Sequence, residues 1–140
     1  MNLFLDTSVL LSARGSAKGA SRFVCVRGKG FGWELLTSGY CRNETLRNIP
    51  KLGNDAVAAW NDAVEPGLRL VTDVVSLDKV LVFEKAKDRP VLVSALAAQC
   101  EVLLTLDRTD FHNALGSRIY GMKIRTPAEF LLEQRASGAI

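Results

Sequence analysis

The chain has 140 residues, of which 48% are apolar and 24% charged, the make-up of one globular domain that can bury a core without disulfides or a structural metal. No apolar run approaches the roughly 20 residues that cross a bilayer, and the N-terminus meets a carboxylate at Asp6 with no basic stretch before it, unlike a secretory signal. A cytoplasmic protein is expected, with Cys25, Cys41 and Cys100, which form neither a CxxC nor a Cys/His cluster, as buried reduced thiols.

The net charge of +3 names no partner, but its distribution is uneven. Arg14, Lys18, Arg22, Arg27 and Lys29 fall within sixteen residues that hold no acid. Such a stretch grips phosphates, or else forms a solvated helix face with its flanking loops.

In chain order, residues 2–5 are an apolar run ending in Asp6, the pattern of a strand buried on both faces of a parallel sheet. Further short strands are expected at 33–37, 68–72, 102–106 and 122–125. Helical spacing runs through 7–13, 20–27, 40–49, 53–64, 90–99 and 127–134. The last has the clearest start, with Thr126 as N-cap, Pro127 at the first helical position and Glu129 completing a capping box. In 90–99, Val91, Leu92, Ala95, Leu96 and Ala98 give one side that packs on a sheet. Residues 79–83 read as either strand or loop, and 136–140 are expected to fray. The class is α/β in a single domain spanning 1–140.

Asp6 and Asp107 each end the apolar run of a strand, which in a parallel sheet puts both on one edge. Open α/β sheets bind ligands there, where the strand order reverses. Either residue alone would also serve as a helix N-cap. Asp88 precedes the helix beginning near Pro90, where a carboxylate is favoured by the dipole, and Glu44 lies in the helix after the second strand. Four carboxylates in one crevice would be driven toward protonation unless a cation held them. All-oxygen ligation suits Mg²⁺ or Mn²⁺, ions that serve phosphoryl chemistry.

At these residues the chain resembles the PIN-domain ribonucleases, which include toxin subunits of bacterial toxin–antitoxin pairs. The resemblance is carried by Phe4-Leu5-Asp6-Thr7-Ser8-Val9-Leu10, Asn43-Glu44-Thr45-Leu46 and Asp88-Arg89-Pro90-Val91-Leu92 with Ala95-Leu96. It continues through Leu104-Thr105-Leu106-Asp107-Arg108-Thr109-Asp110-Phe111 and Lys123-Ile124-Arg125-Thr126-Pro127-Ala128-Glu129-Phe130-Leu131, so that it spans essentially the whole chain. It implies a three-layer α/β/α sandwich around a parallel sheet of about five strands in the order 3-2-1-4-5. It implies an endoribonuclease in which Asp6, Glu44, Asp88 and Asp107 are catalytic and bind one or two Mg²⁺ or Mn²⁺ ions, with Asp110 either completing the metal site or assisting from behind its ligands. Products would carry 5′-phosphate and 3′-hydroxyl groups.

Thr7, Ser8 and Thr105 are expected to supply hydroxyls that orient the carboxylates or a metal-bound water. Lys85 and Lys87 stand where such proteins often carry an acid, and like Arg89 and Arg108 they are placed to contact substrate phosphate. A protein antitoxin and a homodimer are the partners the resemblance implies. The rival readings are a catalytically silent PIN-like scaffold that binds RNA or protein, and another phosphoryl-transfer domain. The aspartyl phosphatases want a second Asp where Ser8 stands, and phospho-acceptor receivers want paired acids and a late Lys that are not evident. His112 reads as a surface histidine, Trp33 and Trp60 as core anchors, and Asp73, Asp78 and Glu84 as loop charges.

Overall fold

The computed structural model describes residues 1–14, 19–74, 89–107 and 118–140. Strand β1 (Asn2–Leu5) is followed by helices α1 (Thr7–Ser12) and α2 (Ala20–Arg27), and β2 (Glu34–Ser38) by α3 (Gly39–Asn48) and α4 (Asn54–Ala59). Then come β3 (Leu68–Val71), α5 (Arg89–Ala97), β4 (Val102–Leu104), β5 (Arg118–Ile119), β6 (Met122–Arg125) and α6 (Pro127–Ala136). The fold is α/β, as expected.

The sheet has six strands in the order β3-β2-β1-β4-β6-β5. The first five in that row are parallel neighbours, and β5 pairs antiparallel with β6. The expectation of about five strands, all parallel, in the order 3-2-1-4-5 is therefore corrected: the sheet is mixed and its order differs by the added edge strand. β5 is two residues long and carries no periodicity to read. It is joined to β6 by Tyr120 and Gly121, both at positive φ (46° and 84°), the backbone of a tight hairpin turn.

Side chains alternate across the sheet. Leu3 and Leu5 of β1, Leu35 of β2, and Val102 and Leu104 of β4 join one apolar cluster with Val9, Val24, Ala56 and Phe130 from α1, α2, α4 and α6. Phe4, Leu36, Leu103 and Ile124 face the other way, against Val91, Leu92 and Ala95 of α5. Near-continuous apolar strands follow from this burial on both faces, an arrangement compatible with three layers. No helix among the described residues is long and apolar enough to cross a membrane.

Local chemistry sets the ends of the elements. At α6 the Glu129 amide donates to Thr126 Oγ1 at 3.1 Å while Glu129 Oε1 accepts from the Thr126 amide at 2.8 Å, the reciprocal box read from sequence. The 53–64 helix divides, α4 passing at Trp60 into a wider turn over Trp60–Val64. Trp33 and Trp60 are core residues, and all three cysteines are free and buried. Where fraying was expected after Ala136, the Ala139 amide bonds Gln134 O at 2.9 Å and Ile140 packs on the first cluster. Residues 79–83 lie outside the described residues.

Candidate active site

β1 and β4 are adjacent, and the chain runs outward from β1 to β2 and β3 before returning to β4 on its other side. The carboxyl ends of β1 and β4 therefore flank the point where strand order reverses, the usual ligand position in open α/β sheets. Asp6 leaves β1 there. Its amide donates to Leu104 O at 3.1 Å, which fixes it against β4.

Asp6 is at once the N-cap of α1 and a buried charge, with 4% of its surface exposed. Oδ1 accepts from the Thr7 amide at 2.8 Å, and Oδ2 accepts from Thr105 Oγ1 at 2.8 Å and Ser8 Oγ at 3.0 Å. Burial, opposed by these bonds and reinforced by the charge of Asp107, raises its pKa to about 6. The carboxylate thus remains ionised at neutral pH while sitting near its limit.

The two hydroxyls that serve Asp6 also organise the loop after β4. Ser8 Oγ accepts from the Leu106 amide and Thr105 Oγ1 from the Asp107 amide, each at 3.0 Å. The backbone that carries Asp107 is therefore placed by the groups that hold Asp6. The Ser8 and Thr105 hydroxyls bond the Asp6 carboxylate, whereas Thr7 meets it through its backbone amide and turns its hydroxyl to Cys41 O on α3 at 3.4 Å.

Glu44 comes to the same cleft from α3. A cleft of about 230 Å³ is lined by Asp6, Thr7, Ser8, Leu11, Glu44, Asn48 and Asp107. Helix α3 starts where it does because Ser38 Oγ accepts from the Cys41 amide at 3.2 Å and Asp73 Oδ1 from the Tyr40 amide at 3.0 Å. Asp73 is thus a helix-terminal partner of α3, outside the set that lines the cleft. Asn48 is the lining residue that sequence reasoning missed. It lies four residues beyond Glu44 on the same helix face, a signal that was available, and its Nδ2 donates to Glu44 O at 2.7 Å.

Burial and the Asp6 charge push the Cys41 thiol up to about 11, and burial puts Cys25 and Cys100 at about 12. All three are protonated, unreactive thiols at neutral pH.

Of the cationic residues, Arg14, Arg27 and Lys29 are exposed, Arg22 donates to Ala13 O at 3.1 Å, and Arg89 opens α5. Arg27 and Lys29 lie just before β2, at the edge where the strands begin, opposite the Asp6 edge. Lys18, Lys85, Lys87, Asp88, Arg108, Asp110 and His112 lie outside the described residues, as do Asp78 and Glu84.

The donors suit a hard cation: three carboxylates line one cleft, and Asp6 Oδ1 accepts only one hydrogen bond among the described residues, leaving a lone pair for an ion. Among the described residues, no group of three Asp, Glu, His or Cys is close enough to hold a metal. Asp88 and Asp110 lie outside those residues. No protein-family model and no curated protein matches the chain.

Proposed function

We propose that the chain is a metal-dependent endoribonuclease with a PIN-like three-layer α/β/α sandwich. The observation that carries this reading is the web joining Asp6, Ser8, Thr105 and the Asp107 amide at the β1/β4 reversal, with Glu44 lining the same cleft. Asp6, Glu44, Asp88, Asp107 and Asp110 are the residues that would hold Mg²⁺ or Mn²⁺. When bound, such an ion polarises the phosphodiester and offsets the charge that builds on it.

The chain's own part is placement. Asp6 is fixed by three donors, so it meets its ligand without reorganising. Glu44, on α3, and Asp107, on the loop after β4, line the cleft from different elements and would hold the ion from two further sides. Arg89 and Arg108 steady neighbouring phosphates. Water attacks phosphorus in line, the P–O3′ bond breaks and a proton passes to O3′, leaving 5′-phosphate and 3′-hydroxyl ends. The biological role in this reading is that of a cytoplasmic toxin restrained by a protein antitoxin and acting as a homodimer.

The test is incubation of a mixed RNA pool with purified protein in Mg²⁺ or Mn²⁺, against EDTA and against Asp6→Asn, Glu44→Gln and Asp107→Asn. Cutting that needs the metal and is lost in all three variants supports the proposal. The second reading is the silent PIN-like scaffold, in which the bonds joining Asp6, Thr105 and the Asp107 amide serve the fold alone. RNA binding with no cleavage and no metal uptake in the same experiment would establish it.

A further inference from the structure

Between Asp6 and Glu34 the chain contains no acid, and the structure gathers part of this stretch into a single patch. The Arg27 guanidinium lies 6.0 Å from the centre of the Phe23 ring. Phe31 stacks on Phe23 with centroids 6.0 Å apart and planes 24° from parallel, and Trp33 continues the row at 5.1 Å. Trp33 is itself buried, meeting Phe130 of α6 edge-on at 4.9 Å. Phe31 keeps 38% of its surface exposed, and Arg27 and Lys29, four and two residues before it, are exposed as well.

The turn that presents Phe31 is tightly built. A Cβ on Gly28 would come within 3.2 Å of both Trp33 and Leu35, so the backbone lies directly on the core. The Trp33 amide donates to Gly28 O at 3.1 Å and the Gly32 amide to Lys29 O at 3.0 Å. Gly32, at φ 80°, closes the turn in the left-handed region that glycine tolerates.

An anchored, partly exposed aromatic ring with the cations Arg27 and Lys29 on one side of it in sequence and a single acid, Glu34, on the other is the chemistry that holds a single strand. Unpaired bases stack on the ring while phosphates meet the cations. A duplex keeps its base faces within its own stack and offers no such contact. We propose that Phe31, supported by Phe23 and flanked by Arg27 and Lys29, is a second contact site for single-stranded RNA. It lies at the edge where β2 begins, opposite the Asp6 edge and roughly 15 Å away along strands of four or five residues. The choice of RNA rests on the ribonuclease reading, and the patch then adds grip to the part of the substrate that extends past the cleft.

The test is anisotropy of a labelled twelve-nucleotide oligouridylate in EDTA, where binding is read without cleavage. Phe31→Leu is expected to weaken binding about tenfold while Phe31→Tyr, which keeps the ring, binds like the wild type. Arg27→Glu with Lys29→Glu, both at exposed positions, is expected to lower the salt slope by about 0.7 per lost phosphate contact. Binding is read in EDTA and cleavage separately in Mn²⁺, so a wild type that fails to cleave leaves the Phe31 result standing, and the two readings fail separately. Unchanged affinity in both Phe31→Leu and the charge-reversed variant overturns the proposal. Equal Phe31 dependence for a duplex or for polyglutamate overturns it as well, the latter assigning the patch to an acidic protein.

Discussion

Asp6 Oδ2 and the Thr105 hydroxyl lie 2.8 Å apart, and the same hydroxyl accepts from the Asp107 amide at 3.0 Å. One side chain thus holds a buried carboxylate and sets the course of the loop that carries another. Thr105→Val removes a donor from a desolvated charge and an acceptor from a backbone amide, and is expected to cost about 1–3 kcal/mol in urea denaturation. Thr105→Ser should recover most of that loss. Equal stability of Thr105→Val and the wild type would show that these bonds carry no net energy.

The raised pKa of Asp6, about 6 against an ordinary value of 3.8, gives a pH dependence with a definite sign. The folded state binds the proton more tightly, so the cost of burying the charge is absent below the ordinary pKa. It grows as pH rises through that window and is complete above about 6, reaching about 3 kcal/mol. Without divalent ions, the wild type is expected to lose about this much stability relative to Asp6→Asn between pH 4 and pH 7. Asparagine will not return all of the cost at neutral pH. Its amide offers hydrogens to Ser8 and Thr105, which now donate to Asp6 and already accept from backbone amides. A stability difference that does not vary with pH contradicts the assignment.

Gly39 and Asp73 are coupled by space. A Cβ at Gly39 would stand 2.8 Å from Asp73 Oδ2, while Asp73 Oδ1 accepts from the Tyr40 amide at the start of α3. Gly39→Ala is expected to displace the carboxylate and cost about 1–2 kcal/mol, much of it already spent in an Asp73→Ala background. A double-mutant cycle by thermal denaturation measures the coupling; simple additivity would mean the two do not meet.

Thr126 gives a prediction away from the cleft. Its hydroxyl and the Glu129 carboxylate cap α6 reciprocally, so Thr126→Ala is expected to lower stability by about 1 kcal/mol and Thr126→Ser to leave it nearly unchanged. Chemical denaturation distinguishes them, and a neutral Thr126→Ala would show that packing of Phe130 alone sets this helix.

Much of the fold was legible because burial on both faces writes itself into short apolar runs. Residues 2–5 and 122–125 form the strands those runs announced, and 20–27 forms the helix its spacing announced. The strand at 118–119 was not legible, since two residues carry no period and the Tyr120-Gly121 turn lacks the Asn-Gly or Asp-Gly signal of such hairpins. At the cleft, Asp6 was visible as an acid ending a strand and Glu44 as an acid on the helix after β2. The apolar run 102–106 announced a strand ending in Asp107, but β4 stops at Leu104 and leaves Asp107 on the loop beyond it. The capping of α3 by Asp73 was invisible, because it joins residues 33 positions apart through a side chain in an irregular segment. Asn48 was passed over for want of charge, although its spacing from Glu44 placed it on the same face.

The central claim is that Asp6 and Asp107 act as one unit on a phosphodiester. The most direct measurement is single-turnover cleavage of a single-stranded RNA in Mn²⁺ by the wild type, Asp6→Asn, Asp107→Asn and the double variant. Residues that act together give non-additive losses, so each single variant should fall to the level of the double. A single variant that keeps the wild-type rate, or losses that multiply independently, would contradict the account.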